Sequence, residues 1–144
     1  MPARVRRATG EDDEGFTLIE LLVVIIIIGI LAAIAIPVYL QQRNKGYDAA
    51  AKADAKALAM HEEAWLTAHD TYTDTVGAGT LTEFRQSLGV HTAATAVDGE
   101  GFCIVSKSLS DNVFWYDSSA GGLSGPADTP PEGGICEDSA PDVP

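Results

Sequence analysis

From Leu21 to Ile36 the chain carries sixteen consecutive uncharged residues, all aliphatic apart from Gly29. At helical rise this run spans roughly 24 Å, against a hydrocarbon core of roughly 30 Å. Extension through Pro37, Val38, Tyr39 and Leu40 brings it to about 30 Å and leaves Glu20 at the near interface. Extension through Phe16 to Ile19 instead draws Glu20 into lipid. Either way the pattern predicts a membrane-inserted helix.

Helical composition continues to about His69, rich in Ala and interrupted only by Gly46. Tyr47, Ala51, Leu58 and Trp65 fall near one face, which predicts a seam against a sheet with Asp54 at its margin. From Thr71 the texture changes to Thr, Gly and short apolar pieces. Thr80 and Glu83 have capping-box spacing ahead of "LTEFRQSL", and Gly89 is placed to end that short helix. "VHTAATAV", "FCIVSKS" and "VFWYDS" read as strands, separated by Asp98-Gly99-Glu100-Gly101 and by Ser110-Asp111-Asn112, turns that favour an antiparallel meander. The expected class is α+β: a long N-terminal helix laid on a small antiparallel sheet. A Gly-, Pro- and Ser-rich tail follows, which apolar contacts alone would hold loosely.

Net charge is −12 over 144 residues. From position 70 onward twelve acids face only Arg85 and Lys107. Bulk electrostatics therefore argue against nucleic acid as a partner, because neutralising phosphates needs clustered Lys and Arg. Cys103 and Cys136 are the only cysteines. An even pair in a small acidic head suggests a disulfide and an oxidising compartment, which places the head outside; two unpaired thiols in a cytosolic head are the alternative. Joining them would close a loop of about 34 residues. The positive-inside count chooses no side, since Arg4, Arg6 and Arg7 precede the apolar run while Arg43, Lys45, Lys52 and Lys56 follow it.

Glu20 poses the sharpest question, because a carboxylate in lipid is costly without a partner. It is either an interfacial residue on an ordinary anchor or half of an ion pair. Cleavage bears on this. A signal-peptidase site after Ala35 would fit Ala33-Ile34-Ala35, but Glu11 to Glu14 contradict the basic start such a signal needs. A cut at Gly15–Phe16, where glycine leaves the backbone bare, would keep the helix and create an α-ammonium on Phe16 within a turn of Glu20. That amine could pair with Glu20 of its own chain or of a neighbour.

"GFTLIELLVVIIIIGILAAIAIPVYLQQR" resembles the N-terminus of a type IV prepilin over roughly positions 11 to 43. Gly15, Phe16, Thr17, Leu18, Ile19 and Glu20 fall on the processing motif of that family, and Gly29 and Pro37 on its helix-weakening positions. The resemblance implies a leader over residues 1–15, cleavage after Gly15 by prepilin peptidase and N-methylation of Phe16. It further implies a polymerisation helix over 16–40, an amphipathic helix over 41–70 and a β-rich head over 71–144. Glu20 would order subunits in a helical filament. The familiar leader is short and basic; this one is acidic beside the cut and reads as a variant. Pro37 lacks an amide hydrogen and crowds the carbonyl of Ala33, so a kink or melted turn is expected there.

No catalytic constellation or phosphate loop stands out, so an enzyme is not expected. Neither a cofactor nor a metal is called for: His61 and His69 lack a third ligand and read as surface residues. Acidic loops of related secretion pseudopilins bind calcium, and Asp117, Asp128, Glu137 and Asp138 could do so, but no loop spacing demands it and they read as solvated acids. The function implied is a pilin subunit, held in the cytoplasmic membrane and then polymerised into a surface filament. Its partners would be prepilin peptidase, other pilin subunits, assembly-platform proteins and membrane lipid. The alternatives are a pseudopilin of a type II secretion or competence system, or a monomeric anchored or secreted binding module.

Overall fold

A computed structural model describes residues 15–73, 84–97 and 100–142. Residues 1–14 of the expected leader and the Thr80–Glu83 capping pair lie outside the described residues. By its contacts the chain divides into two compact units, Met1–Tyr39 and Leu40–Pro144.

Helix α1 runs from Leu18 to His69. Its part in the first unit is apolar on every side, with Ile25, Ile27, Ile30 and Ile34 all exposed. A helix apolar all round needs lipid or other helices as surroundings, and by length and composition this one can cross a membrane. The helix continues without a break through Gly29 and Pro37. The melted turn expected at Pro37 is therefore absent.

The second unit holds the rest of α1 and the strands β1 (His91–Val97), β2 (Gly101–Lys107), β3 (Val113–Asp117) and β4 (Gly122–Ser124), followed by a short helix α2 (Ile135–Asp138). The sheet is an antiparallel meander in the order β1-β2-β3-β4. The α+β class and the three predicted strands are thus borne out. β4 was not foreseen, since Gly121 and Gly122 mask a strand only three residues long. The expected helix "LTEFRQSL" is corrected over its described part: Phe84 to Ser87 is irregular and Leu88-Gly89 forms a turn. Ser87 is drawn instead into bonds with the carboxylate of Asp54, so local helix chemistry yields to a tertiary contact.

Small side chains on α1 let the sheet approach closely. Ala51, Ala55, Leu58 and Ala59 are buried, and Ala55, Leu58 and Ala59 pack with Phe84, Ala94, Phe102 and Ile104. Tyr47 and Trp65, assigned to the same seam, are only half-buried. On the opposite face of β2, Cys103 and Val105 pack with Trp115 and Cys136. Strand β2 is therefore covered on both faces, which explains why Phe102 to Val105 reads as a continuous apolar run.

Candidate processing and assembly site

Gly15, Phe16 and Thr17 precede α1 as irregular, exposed backbone. Nothing lies within 4 Å of where a Gly15 side chain would begin, and Phe16 is 79% exposed. Both flanks of the Gly15–Phe16 bond are open to a peptidase.

Thr17 and Glu20 form a reciprocal cap. Thr17 donates its backbone N–H (2.9 Å) and its hydroxyl (2.7 Å) to Glu20 Oε2. The Glu20 N–H in turn donates to Thr17 Oγ1 at 3.3 Å. These bonds satisfy donors that the first turn of a helix leaves open. Thr17-Leu18-Ile19-Glu20 carries the sequence signature of a capping box, so this cap is legible from the spacing of Thr17 and Glu20 alone. Phe16, Ile19, Val23 and Val24 surround Glu20 in one shallow groove. The arrangement holds an acceptor at a helix start amid apolar side chains.

At the other end of the chain Cys103 and Cys136 are joined in a disulfide, with a Cα–Cα distance of 5.0 Å and both residues fully buried. Beside it lies Asp117, also fully buried. Its Oδ1 accepts the Ser119 N–H (2.9 Å), the Ser119 hydroxyl (2.7 Å) and the Ala120 N–H (3.0 Å), while Oδ2 accepts the Cys136 N–H (2.8 Å). Gly134 fits here because a Cβ would collide with this carboxylate. Burial pushes the Asp117 pKa up, yet the hydrogen bonds outweigh it and hold the carboxyl below its ordinary value.

Asp117 is therefore no solvated acid, whereas Asp128, Glu137 and Asp138 are exposed. Among the described residues no group of three or more His, Cys, Asp or Glu side chains is placed to hold a metal ion. His61 and His69 are not brought together: His61 meets Phe84 edge-on, and His69 stacks on Trp65 at 3.7 Å.

Three further acids that sequence reasoning missed or set at the margin tie loops to α1. Asp48 accepts from Ser108 (2.8 Å), Ser110 and Asn112 (2.9 Å). Asp54 accepts the Ser87 N–H (2.6 Å) and hydroxyl (2.8 Å) and is buried. Glu62, fully buried, accepts the Thr73 N–H at 3.1 Å. Their donors stand 11 to 64 residues away along the chain, so no local spacing announces them.

Residues 12–36 match the family described as the prokaryotic N-terminal methylation motif. The chain is 38% identical over 89 residues to the type IV major pilin protein PilA of Myxococcus xanthus, covering 61% of this chain and 40% of that one. It is 36% identical over 88 residues to a fimbrial protein of Pseudomonas aeruginosa, covering 61% and 54%. A third likeness, 47% over 45 residues, is to the type II secretion system core protein G of Pseudomonas aeruginosa, covering 31% and 32%. The chain thus spans about half or less of the length of these relatives. The methylation motif thus lies on the exposed apolar helix, a disulfide-closed α+β head follows it, and over the shares given the chain is similar to type IV pilins and to a type II secretion core protein.

Proposed function

We propose that this chain is a pilin, cleaved after Gly15 and methylated on Phe16. It is held in the cytoplasmic membrane by residues 16–40 with its head outside, and polymerised through that helix into a surface filament. The observation that carries this reading is the match of residues 12–36 to the methylation motif on a helix whose apolar side chains have no cover among the described residues. The disulfide supports an external head, because such bonds persist in oxidising compartments. Gly29 and Pro37 are the points where the helix can bend or melt as subunits pass from bilayer to filament. The partners are prepilin peptidase, neighbouring subunits and an assembly platform, and the role is structural.

N-terminal sequencing and mass measurement of the membrane-extracted protein test the reading. A methylated Phe16 terminus is expected, and Gly15→Leu should accumulate uncut precursor in the membrane, because a bulky side chain then occupies the scissile position. An Ile36 terminus, or an intact Met1 in cells that process other prepilins, would overturn it. Similarity to a type II secretion core protein favours a second reading, a pseudopilin. It predicts the same Phe16 terminus but no long surface filaments at native expression.

A further inference from the structure

The short helix α2 is seated by contacts that need no sulfur. Cys103 and Asp117 are partners across β2 and β3, so the meander alone sets the carboxylate beside that cysteine. Asp117 Oδ1 is used locally, closing the turn after β3 with the Ser119 N–H, the Ser119 hydroxyl and the Ala120 N–H. Oδ2 takes none of these bonds and instead receives the Cys136 N–H at 2.8 Å. Ser119 Oγ in turn accepts the Ile135 N–H at 3.3 Å. Gly134, at the start of α2, offers no side-chain cap. The two acceptors, 19 and 16 residues away along the chain, therefore satisfy N–H groups that the first turn of a helix leaves open.

Shape agrees with the bonds. A side chain at Gly134 would collide with the Asp117 carboxylate and with Ala120, and one at Gly101, the first residue of β2, would collide with Ser118 and Ile135. Glycine at both positions lets the segment lie directly against the turn after β3 and the start of β2. Four residues are too few for a helix to persist on its own propensity, so α2 depends on this seat.

We propose that Asp117 is a positioning residue for the disulfide: with Ser119 it docks residues 133–138 while Cys103 and Cys136 are still thiols, and so sets how readily the two pair. This docking involves the head alone and is independent of the pilin reading. The seated segment presents Cys136 to Cys103 at a Cα–Cα distance of 5.0 Å, inside the range a disulfide spans without backbone movement. Unseated, the Gly- and Pro-rich stretch before Cys136 would bring the thiols together only as a flexible loop does, at about millimolar effective concentration. Oxidation then follows the fold. One cysteine thiolate attacks a disulfide oxidant such as oxidised glutathione, releasing one glutathione thiolate and leaving a mixed disulfide. The other thiolate displaces the second glutathione, so the chain gives up two protons and two electrons in all.

The test equilibrates the full-length, detergent-solubilised chain in buffers of reduced and oxidised glutathione and reads the closed fraction by thiol trapping and mass, which gives the effective concentration of the cysteine pair. Asp117→Asn should lower it about tenfold and Ser119→Ala about threefold. Should Asp117→Asn fail to fold, Ser119→Ala carries the same expectation. In a Cys103→Ser chain, which cannot close the disulfide, amide hydrogen exchange at Ile135 and Cys136 should stay slower than in an unstructured peptide, and adding Ser119→Ala should speed it. Unchanged effective concentrations in the variants, or free-peptide exchange at those two amides in Cys103→Ser, would overturn the docking and leave the disulfide as the agent that seats α2. A lowered denaturation midpoint with an unchanged effective concentration would overturn it as well, since Asp117 would then serve only the turn after β3.

Discussion

Asp117 is a buried carboxylate with no cation in contact among the described residues, held ionised by one hydroxyl and three backbone N–H groups. Its folded pKa lies below the ordinary carboxylate value. The stability it contributes is therefore present above the unfolded value of roughly 3.9 and is lost as pH falls through the folded one. Asp117→Asn can accept fewer of these bonds and turns amide hydrogens toward N–H donors, at a cost of roughly 2–3 kcal/mol. Denaturant midpoints of the detergent-solubilised chain at about pH 7 and about pH 3 check this. The wild type should lose stability on acidification, while the variant should start lower and lose less; equal midpoints for the two chains at neutral pH would count against it. Ser119 and Ala120, two and three residues after Asp117, supply three of its bonds, but that local turn does not by itself reveal that Asp117 is buried. Its donor Cys136 lies nineteen residues away, and only the pairing of Cys103 with Asp117 across β2 and β3 brings the carboxylate next to the disulfide.

Elements were legible wherever a single strong pattern ruled. The apolar run and the Ala-rich stretch behind it predict α1 to its observed end at His69, and three alternating or continuous apolar pieces predict β1 to β3. Legibility failed where tertiary bonds overrode local chemistry, as at Ser87, and where glycine hid β4. The C-terminal segment shows the same division. Cys136 made its tether foreseeable, but α2 is four residues long and is held by Asp117. Disulfide and carboxylate thus fasten one element twice. Cys136→Ser removes a constraint spanning 33 residues, worth about 3–4 kcal/mol on an entropic account, and leaves the N–H bond to Asp117 in place. The expected outcome is a head whose α1 and sheet persist while the segment from Gly125 onward becomes protease-sensitive. Limited proteolysis with mass mapping reads this directly, and wild-type protection of that segment would refute it. Unreduced protein should also resist thiol labelling at both cysteines.

For the whole molecule, the proposed assembly end is contiguous in sequence: the glycine proposed to be cut, the amine that cut would create and the carboxylate lie within six residues, Gly15 to Glu20. The bonds from Thr17 to Glu20 add a competing explanation for that carboxylate, since capping its own helix would retain Glu20 even if no amine ever approached. Two substitutions separate the roles. Glu20→Leu abolishes both the cap and the charge, whereas Glu20→Gln keeps an acceptor at the capping position and abolishes only the charge. Neither should impair membrane insertion, because removing a carboxylate from an apolar segment eases its burial. Once Phe16 carries a free ammonium and subunits pack, that cation enters an apolar environment, where an unpaired charge is strongly disfavoured. Each added subunit meets the same penalty. Both variants, as sole pilin, should therefore lower filaments per cell about tenfold or more at matched levels of processed subunit. Filament counts by electron microscopy, normalised to membrane-extracted protein with a verified Phe16 terminus, decide the matter. If Glu20→Gln assembles as the wild type does while Glu20→Leu fails, the carboxylate serves the cap and not the amine. If both assemble normally, Glu20 is an interfacial residue and subunit order is set elsewhere.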